Sequence, residues 1–264
     1  MKNFINISIW VVLLAGTVIM LGFIESEYKN TTCKDMQIEI TQSQDGILID
    51  TSDIAGLVAN NYDTILGKPL EDIDQRGIEG IIARDPYIEN VHVYSTIDGI
   101  LKIHAIQRQA IIRIFNNKYQ SFYIDKSGFV VPVNSKYPVR LPIATGCIFN
   151  SFRNLDKQTP NVNTITDTLY KFPVLHQIYI LANFIHHDPF LSSMINQINV
   201  TNKDEFELIP RIGKQVIIFG DLSDMESKFT KLIAFYKKGM AVSGWYKYSK
   251  INLKYKNQVI CSKR

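Results

Sequence analysis

The sequence predicts an α+β chain in three parts: a single N-terminal transmembrane helix, a β-α-α-β-β unit, and a β-rich domain with two main helices. Three observations predict it. Residues 5–24 form an apolar run without a charge. Residues 36–109 pass from strand alternation to helical spacing and back. Residues 110–264 carry short alternating strands around two helical stripes.

The run INISIWVVLLAGTVIMLGFI covers residues 5–24. As a helix it spans roughly 30 Å, the thickness of a bilayer core. Its Ile, Leu, Val and Phe residues each favour insertion by roughly 0.3–0.6 kcal/mol. A cleaved signal peptide has a shorter core and a small-x-small cleavage site, whereas Gly22-Phe23-Ile24 leads straight into Glu25-Ser26-Glu27. The expectation is an uncleaved anchor at residues 5–24 behind a cytoplasmic tail, residues 1–4. Lys2 before the span, with Glu25 and Glu27 after it, orients the N-terminus inward. The chain beyond then lies outside the cytoplasm, starting with a polar linker, residues 25–35.

In the unit at residues 36–109, MQIEI (Met36 to Ile40) alternates like a strand. Ser52 is placed to cap a helix with Ile54, Leu57 and Val58 on one face. Pro69 opens a second helix with the stripe Leu70, Ile73, Gly77, Ile78, Ile81 and Ile82, closed by Asp85-Pro86. Two strands follow, Val91 and Val93 inward on one, Leu101, Ile103 and Ala105 inward on the other. Asp98-Gly99 joins them as a hairpin turn with both residues at positive φ.

Residues 110–264 open with Tyr119 to Ile124 and Phe129 to Val133, strands flanking the loop Asp125-Lys126-Ser127-Gly128. After Pro173 a helix buries Val174, Ile178, Leu181 and Ile185. Phe206 and Leu208 pair with Val216 and Ile218 across a turn at Arg211 to Lys214. Ser223-Asp224-Met225-Glu226 reads as a capping box, and Lys237-Lys238-Gly239 as the end of the helix it opens. A last strand from Lys250 to Cys261 alternates Ile251, Leu253 and Tyr255 against Asn252, Lys254 and Lys256.

The chemistry is sparse. A net charge of +4 is too small and dispersed for nucleic acid as the main partner. Cys33, Cys147 and Cys261 lie far apart with no CxxC, so the reading is three isolated thiols, with a Cys147–Cys261 bridge as the alternative. His186 and His187 point about 100° apart on a helix and chelate poorly together. Arg211-Ile212-Gly213-Lys214 lacks the spacing of a phosphate loop. Neither G-x-S-x-G nor H-E-x-x-H occurs. The expectation is no catalytic residue, no metal, no cofactor and no small-molecule substrate. Trp245, Tyr246 and Tyr248 form an aromatic group that packs on the last helix or faces a partner.

Four stretches carry a family resemblance. DPYIENVHVYSTIDGILKIHAIQRQAIIRI, from Asp85, resembles a POTRA hairpin and its exit into a β domain. YIDKSGFVVPV from Tyr123, KFTKLIAFYKKG from Lys228 and KINLKYKNQVICSKR from Lys250 continue the likeness. Together with the order anchor, linker, POTRA-like unit (residues 36–109) and β domain (residues 110–264), the chain resembles the bacterial cell-division family FtsQ (DivIB), in the style of its Bacteroidota branch. The resemblance implies a non-catalytic, single-pass scaffold of the inner membrane with its main domain in the periplasm, at the division septum. It implies partners as well: an FtsB-like and FtsL-like pair and other divisome components. By position it assigns partner contacts to Tyr255, Asn257 and Gln258, on the edge of the last strands. The chain departs from other members in having Lys256 and Gln258 where they show an acidic residue and a glycine. The rival readings are an anchored cell-wall enzyme, which needs paired carboxylates or a nucleophile beside a base, and a POTRA-bearing secretion or assembly component, which needs a barrel or a second POTRA repeat.

Overall fold

The computed structural model describes residues 10–19, 31–43, 46–153, 155, 159–166, 169–240, 244 and 246–264. Residues 10–19 are helical (α1), and Trp10, Val11, Val12, Leu13, Leu14, Val18 and Ile19 are all exposed. Among the described residues no helix is long and apolar enough to cross a membrane. The rest of the expected span, residues 5–9 and 20–24, lies outside them. Packing divides the described chain into two units, one within Met1–Thr41 and Ile49–Gln107, the other within Gln42–Leu48 and Arg108–Arg264.

The first unit runs β1 (Asp35–Thr41), α2 (Thr51–Asn61), α3 (Gln75–Ile82), β2 (Ile88–Ser95) and β3 (Ile100–Gln107). Its sheet order is β1-β3-β2, with β1 parallel to β3 and β2 antiparallel to it. A parallel neighbour needs a crossover, and the two helices lie within it. Alternation aims Val91, Val93, Leu101, Ile103 and Ala105 at Ile54, Val58, Ile78 and Ile82. Each large aliphatic side chain so buried contributes about 1.5–3 kcal/mol.

The helix starts differ from the sequence reading. Asp50, not Ser52, caps α2 in a reciprocal box with Asp53. A carboxylate at that position takes orphan amides and suits the positive helix end. The stripe from Leu70 is interrupted: Leu70–Asp72 is a short 3-10 turn, and Asp74 starts α3 afresh by accepting from the Gly77 N–H at 2.9 Å. In the hairpin only Gly99 has positive φ, at 91°. Thr96 N–H bonds the Ile100 carbonyl, so the loop holds three residues with the left-handed one last.

The second unit contains β4 (Ala110–Phe115), β5 (Ser121–Asp125), β6 (Val130–Pro132) and β7 (Ile143–Gly146), then the small pair β8 (Ile165–Thr166) and β9 (Leu169–Tyr170). Next come α4 (Pro173–His187), α5 (Pro189–Met194), β10 (Ile195–Val200), β11 (Phe206–Pro210), β12 (Val216–Gly220), α6 (Met225–Ala234), β13 (Tyr248–Asn252) and β14 (Ile260–Lys263). Nine strands form one sheet, in the order β14-β13-β12-β11-β10-β7-β4-β5-β6. Phe184 of α4 stacks on Phe229 of α6 with centroids 4.9 Å apart, over a core that includes Phe122, Phe206 and Phe219.

Several local expectations are corrected here. α4 buries Leu175 rather than Val174. Leu208 pairs with Ile217, one residue off the expected partner, and this register faces Ile217 and Phe219 inward instead of Val216 and Ile218. Ser223 makes no cap; its hydroxyl donates to the Asp221 carboxylate at Oδ1, a short charge-assisted bond of 2.6 Å. Gly239 closes nothing: Phe235–Gly239 continues α6 as a π turn. A short third helix, α5, joins the two main ones. Cys33, Cys147 and Cys261 are free thiols.

Candidate partner-docking edge

A sheet of nine strands has two edges, and the two are treated differently. At β6 the backbone is engaged: Val130 N–H donates to the Pro160 carbonyl at 2.8 Å, and Val162 N–H to the Gly128 carbonyl at 2.8 Å. At the other end, β14 pairs with β13 alone among the described residues. An edge strand of this kind presents a row of unpaired backbone groups.

The expected strand from Lys250 to Cys261 is two strands. β13 ends at Asn252, and β14 returns antiparallel from Ile260. Ile251 and Leu253 are fully buried, but Tyr255, Lys256, Asn257 and Gln258 are all exposed, so nothing apolar holds the alternation beyond Leu253. Asn257 sits at φ 57°, in the left-handed region that asparagine tolerates best after glycine. β13 lies between β12 and β14 and is no edge.

The structure therefore places Tyr255, Asn257 and Gln258 together on the connecting loop, beside the open strand rather than in it. The loop is held. Lys231 of α6 donates its Nζ to the carbonyls of Leu253 at 3.1 Å and Tyr255 at 2.6 Å. Lys254 N–H bonds Asn252 Oδ1 at 3.0 Å, and Lys254 Nζ meets Glu205 Oε1 at 2.6 Å. Across the hairpin, Ser249 Oγ donates toward the carbonyls of Ser262 and Lys263.

The surface around β14 is apolar and basic at once. Tyr246 is 70% exposed, Tyr255 48% and Ile260 42%. Tyr248 is half-buried, and Trp245 lies outside the described residues. Residues 246–264 contain Lys247, Lys250, Lys254, Lys256, Lys263 and Arg264, and no Asp or Glu. Cys261 is half-buried, and burial pushes its thiol up from the ordinary range, away from the reactive thiolate. β14 itself and Ile260 escaped the sequence reading. The signal for them was the run Tyr255 to Gln258, four residues with no aliphatic partner position.

Other sequence candidates do not assemble. His186 faces Gln109 Nε2 at 3.3 Å, while His187 Nδ1 lies 2.7 Å from the Asn183 carbonyl. Among the described residues no group of three or more His, Cys, Asp or Glu stands in metal-binding reach.

Two family models match the chain. Residues 31–106 match a POTRA-like domain, and residues 109–262 match the model described as FtsQ/DivIB, C-terminal related. No curated protein matches.

Proposed function

The chain belongs to the FtsQ/DivIB family, and from that premise we propose that it is a bitopic scaffold of the division machinery whose β14 edge receives a strand from an FtsB–FtsL-like pair. FtsQ/DivIB proteins are in general non-catalytic proteins of the division septum. The observation that carries the proposal is the unequal treatment of the two sheet edges: β6 is engaged by residues 160–162, while β14 is open among the described residues. Main-chain bonds along such an edge supply affinity, and the alternate side chains supply choice. Tyr255, Asn257 and Gln258 contact the arriving segment from the adjoining loop. Tyr246 and Ile260 offer it apolar anchors.

Residues 5–24 serve as the anchor in this reading, with the N-terminus cytoplasmic and both units periplasmic. The exposed apolar side chains of α1 support it, because water is a poor solvent for such a face. Tethering confines the search for a partner to two dimensions.

The test is localisation. A fluorescent fusion to the full chain, imaged in dividing cells, concentrates at midcell. Uniform envelope signal through the whole division cycle overturns the proposal.

A further inference from the structure

A small cavity of about 190 Å³ opens in the second unit, away from the β14 hairpin. Its apolar wall comes from Ile111 and Ile112 of β4, Ala182 and Ile185 of α4, and Ile198 of β10, all buried. Two arginines complete the lining, Arg140 from the segment before β7 and Arg211 from the turn after β11, both exposed at its mouth. Ser192 of α5 and His186 also line it; the Ser192 hydroxyl donates to the Pro189 carbonyl at 3.2 Å, and the His186 ring faces Gln109.

The charges are one-sided. No Asp or Glu lines the cavity. Neither the Arg140 nor the Arg211 side chain has an ion-pair or hydrogen-bond partner among the described residues. The carboxylate nearest to Arg211 in sequence, Glu207, accepts from Asn199 Nδ2 at 3.0 Å, and Asp188 Oδ1 accepts from the N–H groups of Phe190 and Leu191. Arg108 of the same unit shows what the fold does with a guanidinium it uses for stability, setting it 2.9 Å from a carboxylate. Two arginines without a carboxylate partner beside an aliphatic wall are the complement of a carboxylate with an aliphatic tail. Arginine is the side chain suited to that head group, because its planar fork meets both oxygens.

Size narrows the ligand. An apolar cavity of about 150 Å³ holds a benzene molecule, so this one takes roughly six to eight non-hydrogen atoms. We propose that the cavity binds a carboxylate carried on a short branched aliphatic chain, held by Arg140 and Arg211 at its head and by the isoleucine wall at its tail. Two sources share this chemistry, a free short-chain acid and the terminal leucine or isoleucine of a peptide. The proposal is independent of the β14 edge.

Equilibrium dialysis with the full chain tests it, using 4-methylpentanoate, 4-methylpentanamide, inorganic phosphate, and N-acetyl-alanyl-leucine with a free or an amidated terminus. The acids bind saturably, and about ten- to a hundredfold more tightly than their amides, the worth of a charge-assisted hydrogen bond. Arg140→Ala and Arg211→Ala, both at exposed positions, each remove most of that preference while circular dichroism stays unchanged. Binding of 4-methylpentanoate assigns the site to free acids as well; binding of the acyl dipeptide alone assigns it to peptide termini. Equal binding of acids and amides, phosphate binding as tight as the acids, or full affinity in both arginine variants overturns the proposal.

Discussion

Arg264 donates its backbone N–H to the carbonyl of Lys247, 3.2 Å across the last hairpin. Alternate residues of an antiparallel strand turn their backbone groups the same way. Ser262 and Ile260 therefore face β13, and Cys261 and Lys263 turn their amides outward. A strand added at this edge meets those two donors.

Proline separates the two sets of amides. Proline is tolerated on an edge where its missing N–H would face solvent. Lys263→Pro and Cys261→Pro should lose capture of the FtsB–FtsL-like pair and stay folded. Ser262→Pro removes a donor to β13 and should lower the melting temperature. Cys261→Ala is the control for the side chain. Pull-down alongside a circular-dichroism melt reads both effects; normal capture by folded Cys261→Pro and Lys263→Pro variants would sink strand addition at β14.

The lysines predict salt sensitivity. Six basic residues and no acidic one in residues 246–264 favour an acidic partner segment. Exposed charges act through solvent and are screened beyond about 8–10 Å at physiological ionic strength. Affinity should fall as sodium chloride rises, and Lys250→Glu with Lys256→Glu should weaken it about tenfold. A dissociation constant independent of salt would show that the basic face is only a solvated surface.

How much of this was legible depended on which force decided each residue. The β2 and β3 alternation was readable because Val91, Val93, Leu101 and Ile103 have one buried face each, and a one-residue slip would expose them all. The end of β13 was misread because Tyr255 continues the period while nothing buries it. Tyrosine is at home on either side of a surface, so its position in a pattern decides little. The caps failed differently. Ser52 and Ser223 are plausible caps, but Asp50 and Asp221 are stronger hydrogen-bond groups within three residues, and competition between such neighbours is settled only by geometry. The inward set of β12 follows from the pairing of Leu208 with Ile217, and the unbroken apolar run Val216 to Phe219 carries no alternation that would fix it. Of the expected site, Tyr255, Asn257 and Gln258 fall on the loop before β14, and the edge of the last strands is β14 and not the strand that carries Ile251. Openness belongs to strand order, and strand order joins residues far apart in sequence.

Acid should unpick one corner of the second unit. Lys228 is almost buried, and its Nζ lies 2.9 Å from both the carbonyl and the Oδ1 of Asp221. The Ser223 hydroxyl and the Lys228 ammonium hold the Asp221 carboxyl down to about 2. A folded value below the unfolded one gives stability that is present above about pH 4 and lost as pH falls through about 2. The carboxylate is largely exposed, so the contribution is about 1 kcal/mol or less. Urea midpoints of Asp221→Asn should be lower at neutral pH and converge with the parent in acid. A gap that persists unchanged in acid would assign the effect to something other than charge.

The buried pair Arg108 and Asp125 makes the sharpest prediction. Asp125 is 1% exposed in its side chain and Arg108 12%, with Nη1 and Oδ2 2.9 Å apart. Asp125 Oδ1 also accepts from the N–H groups of Ser127 at 2.9 Å and Phe129 at 2.7 Å, and so builds the β5–β6 turn. The guanidinium lies over the Phe129 ring, 4.3 Å from its centroid. Burial pushes the Asp125 carboxyl above its ordinary value, although the Phe129 N–H and Arg108 pull it back. A raised folded value means that stability falls as pH climbs through the carboxylate range. Arg108→Met keeps an aliphatic stem and removes the counter-charge, which leaves an ionised carboxylate alone in the core. The cost should be about 3–5 kcal/mol at neutral pH. It should shrink as pH drops toward about 4, because a protonated Asp125 needs no partner. Arg108→Met with Asp125→Asn should cost less than the two single changes added together, since neither partner is then a bare buried charge. Chemical denaturation of the four proteins at several pH values measures this. Additive losses, or a deficit for Arg108→Met that is the same from about pH 7 to about pH 4, would show that the pair acts by packing and not by charge.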